Sequence, residues 1–277
     1  METKGIISSA QNPKLKLLLQ LQQKSSERRK HGLFVVEGLR EILHCLSADY
    51  EIDSLFYCPQ IADNGALEQI QCVSPSNRCY EINSDIYQKV AYRGGTEGVI
   101  AEVRTRNLKL KDLKLSPSPL IMVLESVEKP GNLGAILRSA DASGVDAVIV
   151  CDPLTDLFNP NLIRSSIGAV FTVPTVACPS SECIGFMKEH GIQILTAQLQ
   201  DSSLYYATDM RRPTAIIMGT EATGLTQQWR DAADAHIRIP MLGRLDSLNV
   251  SVSAAILMYE AVRQRSGLDQ KRMERLI

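Results

Sequence analysis

The sequence lacks the features that mark secreted, metal-binding or membrane-spanning chains. Its seven cysteines include no Cys-x-x-Cys pair, and its four histidines are scattered. These absences argue against a disulfide framework and against a structural zinc site. The apolar run from Leu17 to Leu21 is interrupted by Gln20, so it is too short for a signal peptide or a membrane span. We therefore expect core or surface cysteines, no metal, no membrane contact and a cytoplasmic location.

Two common nucleotide-binding loops are also missing. No Gly-x-Gly turn follows the first strand predicted in the C-terminal region, as a Rossmann-like methyltransferase would require. Gly219 and Gly224 have the spacing of a phosphate-binding loop, but no Lys-Ser or Lys-Thr follows them. A nucleoside triphosphate site is therefore disfavoured, and with it a nucleotide-binding regulator.

The charge is balanced overall but unevenly placed. The net charge is −1 over 277 residues, with 44% apolar and 22% charged residues, which is ordinary for a folded protein. Basic residues crowd the N-terminal region and include Lys14, Arg28, Arg29 and Arg40, and a second cluster lies between Arg104 and Lys114. Such clusters either form a footprint for phosphates or are solvated faces of a helix and a linker.

The chain divides near residue 105 into two regions of α/β character. The segment 106–118 combines charge with a Ser-Pro pair, which predicts a linker between domains 1–105 and 119–277. The first domain mixes helices and strands. In the second, five short and almost wholly apolar runs alternate with helical stretches near 132–143, 159–170, 180–190 and 224–232, which predicts a parallel sheet buried on both faces. Ligands of such sheets bind at the carboxyl ends of the strands.

Three segments at predicted strand ends carry polar residues or glycines. In the first, Asn132 is placed to cap a helix over 132–143 that also holds Arg138. In the second, the glycines at 219 and 224 flank Glu221. In the third, residues 247–251 supply more polar groups than one helix cap requires. Each segment alone also fits an ordinary capped helix or turn.

Taken together, these segments resemble the motifs of the SpoU/TrmH family of RNA 2′-O-ribose methyltransferases, which belong to the SPOUT class. The resemblance rests on "NLGAILR", "GTEATG", "IPM" and "SLNVS", in that order, and it covers residues 119–265. The N-terminal region of the chain, with "NPKLK" and "LFVVEG", is similar to the substrate-binding module of many family members that act on ribosomal RNA. The resemblance implies a C-terminal domain with a trefoil knot, a homodimer, S-adenosylmethionine as cofactor and ribosomal RNA as the favoured substrate.

The resemblance also assigns roles to residues. It implies that Arg138 has a central catalytic role, although a guanidinium is a poor proton acceptor. Ser251 would assist or merely cap a helix. The other implied catalytic residues position the substrate or Arg138, and they are Asn132, Glu221, Ser247 and Asn249. The implied cofactor contacts are Gly219, Ile239, Leu248 and Met241, with Thr196 and Ala197 at the end of another strand. The implied RNA contacts are Lys14, Arg28, Arg29 and Arg40.

Two alternatives within RNA biology stay open at this point. One is a transfer-RNA 2′-O-methyltransferase, since the motifs do not identify the RNA. The other is a non-catalytic RNA-binding or ribosome-assembly factor that has kept the fold. The presence of Asn132, Arg138, Glu221 and Asn249 favours an enzyme over the second alternative.

Overall fold

The computed structural model describes residues 5–63, 65, 68–70, 78–92, 97–220, 223–244 and 247–266. The chain forms two compact units. The first comprises Met1–Arg106 together with Asp156–Thr172, and the second comprises Asn107–Thr155 and Val173–Ile277.

The first unit is built on a mixed five-stranded sheet. Its elements up to residue 106 are β1 (Gly5–Ile7), α1 (Pro13–Gln23), α2 (Ser25–His31), β2 (Leu33–Glu37), α3 (Leu39–Ser47), β3 (Ile52–Tyr57), β4 (Cys79–Ile82), α4 (Ser84–Val90) and β5 (Val99–Arg104). The strand order is β1-β4-β3-β5-β2, with β5 antiparallel to both of its neighbours. Leucines of α1 pack against one face of the sheet, beside Phe56 and Ile100.

The second unit contains a parallel sheet of seven strands. The elements after residue 106 are β6 (Leu120–Glu125), α5 (Pro130–Ser143), β7 (Ala147–Cys151), α6 (Pro160–Ser165), α7 (Ala169–Thr172), β8 (Thr175–Cys178), α8 (Ser180–Glu189), β9 (Gln193–Ala197), β10 (Ser203–Leu204), β11 (Thr214–Met218), α9 (Gln227–Ala232), β12 (Ala235–Arg238) and α10 (Val250–Arg265). The strand order is β10-β12-β9-β11-β6-β7-β8, and every pair is parallel.

The predicted α/β class and parallel sheet are confirmed. All five apolar runs form strands, and the central ones are buried along their whole length because helices cover both faces. The expected linker 106–118 contains a short 3₁₀ helix, Leu110–Asp112, and Leu110 is buried in the core of the second unit.

The prediction of one continuous helix over residues 159–170 is wrong. The structure has two helices there, α6 and α7. The break falls at Ile167 and Gly168, whose φ values are 56° and 82°. A side chain at Gly168 would lie 2.8 Å from Nδ1 of His44, and that ring nitrogen is 3.0 Å from the carbonyl oxygen of Ile167. The positive φ angles and this close packing end the first helix.

The segment Asp156–Thr172 is fixed to the first unit by a buried ion pair. Nε of Arg28 donates to Asp156 at 2.5 Å, and the same guanidinium donates to the carbonyl oxygen of Leu21 at 2.6 Å. Two phenylalanines of the segment, Phe158 and Phe171, stack on Phe34 of β2. A buried guanidinium needs such partners, since an unpaired one is costly to desolvate.

Glu102 on β5 is a buried carboxyl group in the first unit. It is 3% exposed, and its Oε1 has no hydrogen-bond partner among the residues that the structure describes. Burial raises the pKa of Glu102 to about 7, and the negative charge of Asp53 adds to the effect. Ionisation of this group therefore opposes folding.

This buried carboxyl makes stability depend on pH. Because the pKa of Glu102 is raised in the folded state, its contribution to stability is complete at low pH and is lost as pH rises through about 7. We expect Glu102→Gln to raise the free energy of unfolding by roughly 3 kcal/mol at pH 8.5, and by less than about 1 kcal/mol at pH 5. Urea unfolding at both pH values measures this, with the exposed Glu189→Gln as control. Equal effects at both pH values would contradict it.

Candidate active site

The first and second motif segments follow strands that lie side by side. β6 and β11 are paired in register from Leu120 and Thr214 up to Leu124 and Met218. The chain leaves β6 toward β7 on one side, whereas β9 lies on the other side of β11. The carboxyl ends of β6 and β11 therefore form the kind of topological switch point where ligands of open α/β sheets bind.

A small pocket of about 130 Å³ lies at these strand ends. Its walls come from the segment after β6, from the segment after β11 and from the start of α10. The lining residues are Val127, Glu128, Lys129, Asn132, Gly219, Thr220 and Val250. The three motif segments thus meet within the second unit. Lys129 and Thr220 were not among the predicted site residues, although Lys129 stands directly before the Pro-Gly turn.

Asn249 connects the third motif segment with the first. Its side chain caps α10, because Oδ1 accepts from the backbone N–H of Ser251 at 2.9 Å and from the Ser251 hydroxyl at 2.6 Å. Its Nδ2 donates to Oδ1 of Asn132 at 3.2 Å. Since the cap fixes which end of the Asn249 amide accepts, the donor end points to Asn132. Three predicted polar residues therefore form one chain of hydrogen bonds.

Asn132 does not cap its helix, contrary to the prediction. α5 begins at Pro130, two residues earlier, and Lys129 occupies the N-cap position without a side-chain cap. Proline fits the first turn of a helix because its missing N–H has no partner there. Asn132 therefore lies inside the first turn of α5, and its side-chain oxygen accepts from Asn249 instead.

The loop after β11 depends on the absence of a side chain at Gly219. A Cβ atom there would lie 2.3 Å from the backbone of Gly224, and the Thr220 and Gly224 backbones bond to each other in both directions. Gly224 has a φ of 67°, which favours glycine. Glu221, predicted as catalytic, lies outside the described residues.

Glu125, the last residue of β6, holds the far end of this loop. It is 2% exposed, and its carboxylate accepts from the backbone N–H of Thr226 at 2.8 Å and from the Thr226 hydroxyl at 2.6 Å. Glu125 thereby ties the end of one strand to the loop after its neighbour. Sequence reasoning missed this role, because a glutamate at the end of an apolar run carries no signal for a partner 101 residues away.

The predicted cofactor contacts lie around the carboxyl ends of three strands. Ile239 and Met241 follow β12 and are half-buried, and Leu248 is 41% exposed beside α10. Thr196 is fully buried in β9, and its hydroxyl lies 2.5 Å from Nδ1 of His236. Ala197, next to it, is half-buried. Of the predicted cofactor residues, Gly219 lines the pocket.

Arg138 lies away from the pocket within a single chain. It is exposed on α5, and its guanidinium makes no hydrogen bond or ion pair within the described part of the chain. Six positions along the helix separate it from Asn132, which places the two side chains about 120° apart around the helix axis. Ser247 is exposed at the start of the third segment. The structure thus joins Asn132, Asn249 and Gly219 in one place, but not Arg138.

The predicted RNA contacts differ in exposure. Arg29 and Arg40 are exposed, and the ammonium of the half-buried Lys14 lies 4.7 Å from the centre of the Tyr80 ring. Arg28 is different, because its side chain is 4% exposed and pairs with Asp156. The prediction that Arg28 contacts RNA is therefore wrong: its charge stabilises the fold of the first unit.

Three cysteines form a buried cluster in the second unit. Cys151 and Cys178 end the paired strands β7 and β8, Cys183 lies on α8, and the three sulfur atoms lie within 4.8 Å of one another. Thiolates suit soft metal ions, whereas buried thiols also pack as small apolar groups. These three lie among aliphatic side chains of the core. The expected absence of a metal stays a prediction.

Comparisons with known proteins agree with this arrangement. Residues 119–259 match the SpoU rRNA Methylase family, and residues 12–101 match the MRM3-like substrate binding domain. The chain belongs to the SpoU rRNA methylase family. No helix within the described residues is long and apolar enough to cross a membrane.

Named relatives and solved structures match over most of the chain. RlmP of Bacillus subtilis, a 23S rRNA (guanosine(2553)-2′-O)-methyltransferase, is 28% identical, with 91% of this chain and 97% of RlmP aligned. RlmB of Bordetella pertussis, a 23S rRNA (guanosine-2′-O-)-methyltransferase, is 37% identical over 62% of this chain and 72% of its own. The structure of an AdoMet-bound rRNA methyltransferase from Sinorhizobium meliloti superposes with a TM-score of 0.85 at 29% identity, covering 93% of this chain and 97% of that one.

The double role of Asn249 leads to a prediction about stability. Asn249→Ala removes both the cap of α10 and the link to Asn132, and is expected to lower the free energy of unfolding by about 1 kcal/mol. Asn249→Asp keeps the cap acceptor and adds a favourable charge at the helix start, so we expect a smaller loss. Urea unfolding of both variants beside Ser251→Ala tests this. An equal loss in the Ala and Asp variants would show that the cap is not the main contribution.

Proposed function

We propose that this protein transfers a methyl group from S-adenosylmethionine to a ribose 2′-hydroxyl of ribosomal RNA. The observation that carries the proposal is the bond between Asn132 and Asn249 beside Gly219, which brings the three motif segments to one pocket. The names of RlmP and RlmB, both 23S rRNA 2′-O-methyltransferases, support ribosomal RNA over transfer RNA.

The residues around the pocket fit the proposed cofactor. The pocket wall includes Gly219, which has no side chain to block an approach to the backbone, and the half-buried Ile239 and Met241 offer apolar contacts. We propose that these three residues and Leu248 hold the cofactor, with Thr196 and Ala197 further along the sheet edge. When bound, the cofactor supplies a methyl carbon made electrophilic by a positively charged sulfur.

The chain's own contribution is alignment and handling of a proton. The ribose oxygen must lie in line with the bond that breaks, and holding it there removes much of the barrier. We propose that Asn132, Asn249 and Ser247 orient the ribose and that Glu221 assists them. The hydroxyl proton must leave as the new bond forms. We propose that Arg138 contacts the reacting hydroxyl or its phosphate.

We propose that the active form is a homodimer. The support is that Arg138 lies about 120° around α5 from Asn132 and does not line the pocket that Asn132 lines, so one chain does not bring the two together. In a symmetric dimer, Arg138 of one copy can face Asn132 of the other. The proposal further includes the trefoil knot expected for the family and a cytoplasmic location.

The division of labour along the chain is also part of this proposal. We propose that residues 1–105 bind RNA, that 106–118 connect the domains, and that 119–277 carry the reaction. The two matched ranges, 12–101 and 119–259, support these bounds. The segment Asp156–Thr172 falls within the sequence range of the second domain but is structurally part of the first unit. Residues of the second domain therefore also help to build the first unit.

The activity is tested by methyl transfer with labelled S-adenosylmethionine to total ribosomal RNA and to transfer RNA. We expect alkali-resistant 2′-O-methyl label in ribosomal RNA, and a loss of at least 100-fold with Arg138→Ala, because a residue that aligns the reacting hydroxyl contributes at least that factor. Lys188→Ala, an exposed change on α8 that also removes one positive charge, is the control for loss of charge. Absence of both cofactor binding and label would favour the non-catalytic RNA-binding or ribosome-assembly factor, and label in transfer RNA alone would favour the other enzyme.

The dimer is tested by mixing two inactive variants. If Arg138 and Asn132 of different copies build one site, a mixed dimer of Arg138→Ala and Asn132→Ala chains has one intact site and one doubly altered site. Co-expression should then restore about a quarter of the native activity with random pairing. Co-purified mixed dimers that stay inactive would place both residues of a site in the same chain. A monomer in sedimentation analysis would refute the dimer itself.

A further inference from the structure

The first unit contains a second pocket, of about 220 Å³, which the proposed chemistry does not use. It lies where the end of β2 meets the start of α3, and α6 forms another wall. Sites for drug-sized ligands occupy roughly 300–1,000 Å³, so this pocket suits one small group rather than a whole cofactor.

The pocket is lined by charged groups of both signs, and its net charge is negative. Glu37, Glu41 and Glu97 line it together with Arg40 and Arg164, which gives three carboxylates against two guanidinium groups. An RNA phosphate would be repelled by this surplus of carboxylates. A ligand that offers N–H donors to the carboxylates and acceptors to the guanidinium groups matches the set.

The carboxylates are fixed in position by the surrounding chain. Oε2 of Glu37 accepts from the backbone N–H of Tyr92 at 2.6 Å, and Oε2 of Glu97 accepts from that of Leu39 at 2.5 Å. Glu41, 7% exposed, accepts from the guanidinium of Arg40 at 2.7 Å. A carboxylate has about four acceptor sites, and both described bonds to Glu41, from the guanidinium of Arg40, fall on Oε1, which leaves acceptor sites on Oε2 for a ligand.

Apart from Gln22, whose amide donates to the carbonyl oxygen of Val90, the rest of the wall is mainly apolar. Val35 and Ile163 are 3% and 2% exposed, and they border the pocket beside Pro160 and the half-buried Tyr92. Apolar surfaces next to fixed polar groups suit an unstacked nucleobase, because its faces pack and its edges form hydrogen bonds.

We infer that this pocket takes an unpaired guanine base of the RNA substrate. Guanine presents two adjacent donors, N1–H and the N2 amino group, which suit a carboxylate, and two acceptors, O6 and N7, which suit an arginine. The inference rests on the proposed function and extends it, because the first unit would recognise a base of the RNA substrate in addition to contacting phosphates.

The inference is tested by binding, independently of methyl transfer. The probes are labelled RNA nonamers, four uridines on either side of one variable base, titrated against the full-length protein by fluorescence anisotropy. We expect guanine at the centre to bind about tenfold more tightly than adenine, cytosine or uracil. Inosine, which lacks the N2 amino group, and 7-deazaguanine, which lacks N7, should each lose most of this preference. These RNA-side changes leave the protein intact.

Protein variants identify the pocket as the source of the preference. Glu41→Gln should bind guanine and inosine equally, whereas the exposed Glu189→Gln in the second unit should keep the native difference. No preference among the four bases would overturn the inference, as would a preference that survives Glu41→Gln. Equal weakening of all four RNAs would show a phosphate contact instead. A protein that prefers guanine but methylates no RNA would retain the pocket and refute the proposed activity.

Discussion

The hydrogen bonds of the Asn249 side-chain amide are the interactions on which the arrangement of the candidate active site depends. One end of the amide accepts from the first turn of α10, and the other donates to Asn132 in the first turn of α5. Because an amide has distinct donor and acceptor ends, capping one helix determines what the group offers to the other. The same bond pattern therefore stabilises a helix start and orients two polar groups beside the pocket.

The sheet supplies the rest of the geometry. Parallel pairing of β6 with β11 brings loops from distant parts of the chain to one edge, and the buried Glu125 fastens the end of one strand to the loop after the other. That loop closes tightly because Gly219 leaves room for the Gly224 backbone. Precise placement thus comes from backbone and buried groups, while the residues proposed to meet the ribose lie nearer the solvent.

Much of this could be predicted from the sequence, and the exceptions have physical reasons. Buried parallel strands are nearly continuous apolar runs, so the five central strands were readable, whereas the two-residue β10 carries no such pattern. The link between Asn132 and Asn249 spans 117 residues, and local spacing gives no sign of it. Periodicity also does not show that Gly168 breaks a helix against His44.

Charge was the least reliable guide to RNA contacts, because the partners of a basic residue decide whether its charge is available to bind a phosphate. Arg28 belongs to a dense basic cluster, yet its guanidinium is buried and neutralised by Asp156. Arg40 of the same region is exposed but bonds to Glu41, in a pocket with a surplus of carboxylates. Because pairing differs so much from one residue to the next, a cluster of basic residues does not by itself identify an RNA contact. The pocket inferred to take a base draws on base edges and apolar walls instead, which fits a substrate that is recognised by its unpaired bases as well as by its charge.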